Sequence, residues 1–210
     1  MIKAILFDMG GVLVDLDMSR CISAFKTRVG FERIEEFLDP CHQKGFIKQM
    51  ESGQIDEQEF YEQCRQYCRP GTRDEDIAAS LSELLVDIPA DKVKLMRELS
   101  ASYTLYMLSN NNPIAMRRSK VIFAQAGIPM DEVFRETFVS CDLHLLKPGR
   151  EIYMESVRRT GLSADELLFI DDSRDNVAAA SSVGINAIYY ERGTDLRSLI
   201  MGELSRLNEC

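Results

Sequence analysis

The chain has 210 residues, 45% of them apolar and 28% charged, which describes a soluble globular protein with room for one substantial domain and a small accessory one. Its formal net charge of −9 argues against nucleic acid or an anionic membrane as a main partner, though not against a small anion met locally by a metal ion or a lysine. The six cysteines, Cys21, Cys41, Cys64, Cys68, Cys141 and Cys210, include no C-x-x-C pair and read as reduced thiols in a cytoplasmic setting.

In chain order, residues 3–7 form a short apolar run suited to a strand buried on both faces, stopped abruptly by Asp8 and followed by Gly10 and Gly11. This run is too short for a signal peptide, and no stretch approaches the roughly 18 apolar residues of a membrane helix. From about Ser19 to Asp87 the pattern is helical. Ser19 is a candidate cap for a helix through Val29, and short helices are expected over 32–38 and 41–51. Asp56-x-x-Glu59 resembles a capping box opening a fourth helix, and 72–85 carries Ile77, Leu81, Leu84 and Leu85 on one face.

Strands and helices then alternate. Helices are predicted over 90–100, 113–126, 151–160, 175–183 and 194–208, and strands over 103–108, 136–140, 167–170 and 186–190. That alternation predicts a parallel α/β sheet with right-handed crossovers. Ligands meet such sheets at the carboxyl ends of the strands. Those ends supply Asp8, then Ser109-Asn110, then Lys147-Pro148 after the third strand, then Asp171-Asp172. A carboxylate, a hydroxyl, an ammonium and a carboxylate pair can together hold a divalent cation and a phosphoryl group. Each residue also has a plainer reading: Asp8 as a strand end, Ser109 as a turn former, Lys147 as a solvated lysine.

Taken in this order, the four motifs resemble those of the haloacid dehalogenase (HAD) superfamily, in particular sugar-1-phosphate phosphatase-like members with an Asp-x-Gly first motif. The resemblance implies a Rossmann-like parallel sheet of strand order 3-2-1-4-5. It implies a catalytic core of residues 1–16 and 89–210 and an inserted α-helical cap of 17–88. Asp8 matches the nucleophile, Ser109 the phosphate-binding hydroxyl and Lys147 the charge-balancing lysine, with Asn110 a further candidate for substrate. Mg²⁺ is the implied cofactor, held by Asp8, the backbone carbonyl of Gly10, Asp172 and Asp171, the last directly or through water. Asp175 either orients this group or caps the next helix.

The expected activity is a Mg²⁺-dependent phosphatase acting on small phosphorylated metabolites through an aspartyl-phosphate, as a monomer or homodimer. The alternatives are a dehalogenase or a weakly active or non-catalytic phospho-ligand binding protein, because Gly10 stands where the usual motif has a second, acid/base Asp. Asp15, Asp17 or the cap residue His42 could supply that function. For substrate choice the cap offers His42, Lys44, Lys48, Gln49 and Glu51.

Overall fold

In the computed structural model, which describes residues 1–38 and 44–209, the first apolar run is strand β1 (Ala4–Phe7), and all four of its residues are buried. A helical block follows, with α1 (Met18–Ala24), α2 (Gly45–Glu51), α3 (Glu57–Arg65) and α4 (Asp74–Ser82) among its described residues. The alternating half begins with α5 (Ala90–Ser100), β2 (Thr104–Ser109) and α6 (Pro113–Gln125). After these come a short α7 (Met130–Val133), β3 (Glu136–Val139) and a short α8 (Ser140–Leu143). It ends with α9 (Arg150–Thr160), β4 (Leu167–Asp171), α10 (Arg174–Ser182), β5 (Asn186–Tyr189) and α11 (Leu196–Asn208). The five strands are parallel in the order β3-β2-β1-β4-β5, as the family resemblance implies.

Period-two alternation sorts the strand side chains to two faces. Ile5, Phe7, Leu105, Met107, Leu168 and Ile170 pack with α5, α6 and α11. Ala4, Leu6, Tyr106, Leu108, Leu167 and Phe169 pack with α9 and α10. Complete burial of a Leu, Ile or Phe contributes about 1.5–3 kcal/mol, so the central strands are held from both sides.

The block from α1 to α4 has a core of its own, built on Phe25, Phe31, Phe46, Phe60 and Ile77, to which α6 contributes Ile114. The chain enters and leaves this block through adjacent backbone. Asp15 N–H donates to the Asp87 carbonyl (2.9 Å), Val86 N–H to the Asp15 carbonyl (2.9 Å) and Asp17 N–H to the Leu84 carbonyl (2.9 Å).

Local signals account for several boundaries and correct others. Asp56 and Glu59 form the expected capping box of α3. The cap of α1 is Asp17, not Ser19, and the helix gives way to a π-helical turn over Phe25–Val29. The helix expected over 32–38 is only a 3-10 turn, Ile34–Glu36. Of the helix expected over 41–51, the described part begins at Gly45, and His42 lies outside the described residues. Helices α7 and α8, four residues each, were too short to leave a period in the sequence. Among the described residues no helix is long and apolar enough to cross a membrane.

Candidate active site

Strand register brings the site together. Phe7 pairs with Met107 and with Ile170, so the next residues, Asp8, Leu108 and Asp171, lie at one level near the carboxyl ends of the three strands. Asp8 is tied there by its N–H to the Ile170 carbonyl, 2.9 Å away. Lys147 reaches the same point from the loop between α8 and α9. Its Nζ lies 2.9 Å from Asp8 Oδ1 and 2.7 Å from Asp171 Oδ2, and donates to the Leu108 carbonyl at 3.0 Å. All three donor positions of the ammonium are thereby used. Burial alone would lower the Lys147 pKa, but Asp171 and Asp8 more than offset it and hold the ammonium above the usual lysine value.

Asp171 is fully buried, and both of its oxygens are occupied. Besides Lys147, it accepts from Ser173 N–H (2.8 Å) and from the Asn176 amide (2.9 and 3.0 Å). Asp172, the next residue, turns toward the cavity and pairs with Arg192 from the segment after β5. The N-cap of α10 is Ser173, which puts Asn176 on the first turn facing back to the strand end. Asp175 points outward, exposed, and neither caps the helix nor lines the cavity.

Asn110 and Lys147 are joined through reciprocal bonds: Asn110 Nδ2 donates to the Lys147 carbonyl (2.9 Å), and Lys147 N–H donates to Asn110 Oδ1 (2.8 Å). The amide thus braces the lysine loop while remaining on the cavity wall. Ser109, buried at the end of β2, also lines the cavity. Asn112 caps α6 by accepting from Ala115 N–H (3.0 Å).

The cavity over these strand ends has a volume of about 390 Å³. Asp8, Gly10, Ser109, Asn110, Lys147 and Asp172 form its sheet-side wall, and Lys48 and Glu51 of α2 look onto it from the helical block. Ligand oxygens of Asp8, Asp171 and Asp172 lie within 4.8 Å of one another. Burial raises the Asp8 pKa above the ordinary carboxylate range; Lys147 opposes this, and Asp171 and Asp172 add to it. The site therefore holds more negative charge than its lysine balances, and its donors are hard oxygens. Both features suit a divalent cation such as Mg²⁺. Gly11 helps to keep the gap open: it has φ +81°, and a side chain there would collide with Asp172 and Arg192.

Of the groups considered as substitutes for the missing second Asp, Asp15 pairs with Lys92 (3.0 Å) and Asp17 caps α1. Neither lines the cavity. The space beside Gly10 is taken by Leu16, whose methyl carbons would stand 3.2 and 3.4 Å from an added Cβ.

The model of the haloacid dehalogenase-like hydrolase family matches residues 2–184. The chain belongs to that family of enzymes. It is 29% identical to a D-ribitol-5-phosphate phosphatase of Bacteroides thetaiotaomicron, over 94% of this chain and 96% of that protein. It is 27% identical to the sesquiterpene phosphatase astK of Aspergillus oryzae, over 99% and 97% of the two chains. A HAD family enzyme of B. thetaiotaomicron, solved as the wild-type protein with magnesium and inorganic phosphate, has a TM-score of 0.88 at 34% identity, covering 95% of this chain and 99% of that one. An L-2-haloacid dehalogenase, PA0810, has a TM-score of 0.60 at 20% identity, a likeness of fold alone.

Proposed function

We propose that this chain is a Mg²⁺-dependent phosphatase that hydrolyses small phosphate monoesters, sugar and alditol phosphates among them, through a covalent phosphate on Asp8. The observation that carries the reading is Lys147 Nζ set between Asp8 and Asp171, with Asp172 beside them on one cavity wall. In the first step an Asp8 oxygen bonds to phosphorus as the bond from phosphorus to the substrate's organic oxygen breaks. Water then attacks the acyl phosphate, releasing inorganic phosphate and restoring the carboxylate. Lys147 offsets charge between the two anions, and Ser109 with the neighbouring amides receives the phosphoryl oxygens.

Asp8, Asp172 and the Gly10 carbonyl would hold the cation, with Asp171 behind them as the group that positions Lys147. A bound Mg²⁺ supplies the positive charge that lets a phosphate dianion approach a carboxylate. The magnesium and phosphate complex of the B. thetaiotaomicron neighbour and the two phosphatase relatives support this assignment. The division into a core of 1–16 and 89–210 and a helical cap of 17–88 is part of the same proposal. It is supported by the separate apolar core of the helices and by their paired entry and exit segments.

The test is phosphate release from an aryl phosphate, with and without Mg²⁺, in the wild type and Asp8→Asn. A chelator should abolish turnover, and the substitution should lower it by at least ~10³-fold, as loss of a nucleophile does. Halide release from a haloacid without metal would point to the dehalogenase instead. Phosphate binding with no turnover would point to a binding protein.

A further inference from the structure

Glu51 is the last residue of α2, and its carboxyl faces the cavity opposite Asp8, Ser109 and Lys147. Its backbone is anchored to the core: Ser140 Oγ donates to the Glu51 carbonyl at 2.5 Å. Two residues on, Gly53 adopts φ +68° and packs so closely on Cys141 and His144 that a side chain there would strike both. The position of Glu51 over the sheet is therefore set by the fold.

Its side chain, by contrast, has no hydrogen-bond donor among the described residues. The cavity it shares has an aliphatic part, made by Leu16, Leu38, Ile47, Leu81, Leu84 and Leu85. Burial pushes the carboxyl up to about 8 against the pull of Lys48, and the carboxyl end of a helix disfavours its charge further. The residue is half-buried, so its carboxyl keeps hydrogen-bonding capacity to offer, and the cavity is where a partner can come from. Lys48 on the same helix already brings a cation to this end of the cavity. A hydroxyl fits either protonation state, since it donates to a carboxylate and accepts from a carboxylic acid.

We propose that Glu51 is a specificity-determining residue that hydrogen-bonds a hydroxyl on the organic half of the substrate, so that the enzyme prefers hydroxylated phosphate monoesters to alkyl ones of equal length. The inference rests on the phosphatase reading above and names the substrate class of that site.

The experiment compares kcat/KM for a pentitol phosphate, pentyl phosphate and an aryl phosphate, all with Mg²⁺, in the wild type, Glu51→Leu and Glu51→Gln. In the wild type the pentitol phosphate should exceed pentyl phosphate. Glu51→Leu should lower kcat/KM for the pentitol phosphate by 10- to 100-fold, mostly through KM, on the order of a lost buried hydrogen bond. Pentyl and aryl phosphate should be unchanged or improved. Glu51→Gln, which keeps a donor and an acceptor in place, should stay within a few-fold of wild type.

An unchanged pentitol-to-pentyl ratio in Glu51→Leu would overturn the proposal. An equal fall for pentitol and pentyl phosphate with the aryl ester spared would also overturn it, because that pattern marks proton donation to a poor leaving group. If Glu51→Leu does not fold, a loss of 10-fold or more on pentyl phosphate in Glu51→Gln has the same meaning. A wild type inactive on all three esters removes the phosphatase reading, and this inference with it.

Discussion

The sheet side of the cavity and its helical side are built differently. On the sheet side Asp8, Lys147, Asp171 and Asn176 form one chain of short contacts, with Lys147 completely buried among them. On the helical side Glu51 has no hydrogen-bond donor among the described residues, and Lys48 of its own helix is the charge that acts on it. The first arrangement leaves no freedom to its members, so a change at one is felt by all. The second leaves polar capacity for a ligand, so a change there should alter which ligand is taken. In the reading proposed above, chemistry belongs to one wall and selection to the other.

Lys147→Met should show the interlocked side most strongly. It leaves Asp8 and Asp171 as uncompensated buried carboxylates, a loss of about 3 kcal/mol or more by analogy with broken buried pairs. Urea unfolding measures it, and a cost below ~1 kcal/mol would mean that the contacts are not coupled as described. Next in size is Asn176→Ala, which frees one side of Asp171. Loss of such an orienting bond lowers activity about 10- to 100-fold, and the rate at saturating Mg²⁺ reads it.

Gly10→Asp reintroduces a carboxyl where Leu16 now fills the space. Because Leu16 can shift by a few tenths of an ångström, the variant should fold, and its rate on alkyl relative to aryl phosphates should rise by about tenfold, within the range of general acid help. An unaltered ratio would show that the native chain does not lack an acid.

The remaining prediction belongs to the helical side. The Glu51 carboxyl is raised from 4.5 to about 8, so the folded protein binds a proton more tightly than the unfolded chain. Its stability therefore falls as pH rises from about 4.5 through about 8, with the penalty absent below that window. Lys48 on the same helix, Lys147 and Asp8 across the cavity, and Asp142 and His144 on and after α8 are the charged or titratable groups to hold constant. Glu51→Gln should raise the thermal midpoint by more at pH 8 than at pH 5, and equal shifts at both would contradict the burial argument.

The strand ends were readable because each ends an apolar run with an abrupt polar residue, and the order of Asp8, Ser109, Lys147 and Asp171-Asp172 then pointed to one face of a parallel sheet. The division of labour within that set was not readable. Asp171 and Asp172 look alike in sequence, yet one is fully buried under Lys147 while the other faces the cavity, a difference set by which side of the strand each side chain leaves. Asp175 drew attention because it is acidic, whereas Asn176 touches Asp171. Recognising Ser173 as the helix cap would have found it, since the register of the first turn follows from the cap. Arg192 carried no signal, because its approach to Asp172 depends on β5 lying beside β4. Between Ser19 and Asp87 the helical character was plain, but propensity alone could not show that the π-helical turn and the single 3-10 turn replace regular helix where aromatic rings crowd together.

The ladder joining Asp15 and Asp17 to Leu84, Val86 and Asp87 makes the seventy-odd residues it encloses a closed excursion from the catalytic framework. Chain ends already held at hydrogen-bonding distance can be bridged by a few turn-forming residues with little closure entropy. The framework should then tolerate a shorter, longer or foreign insert at this doorway while β1 and β2 keep their register, and a lineage could exchange one whole wall of the cavity in one genetic event without rebuilding the sheet beneath.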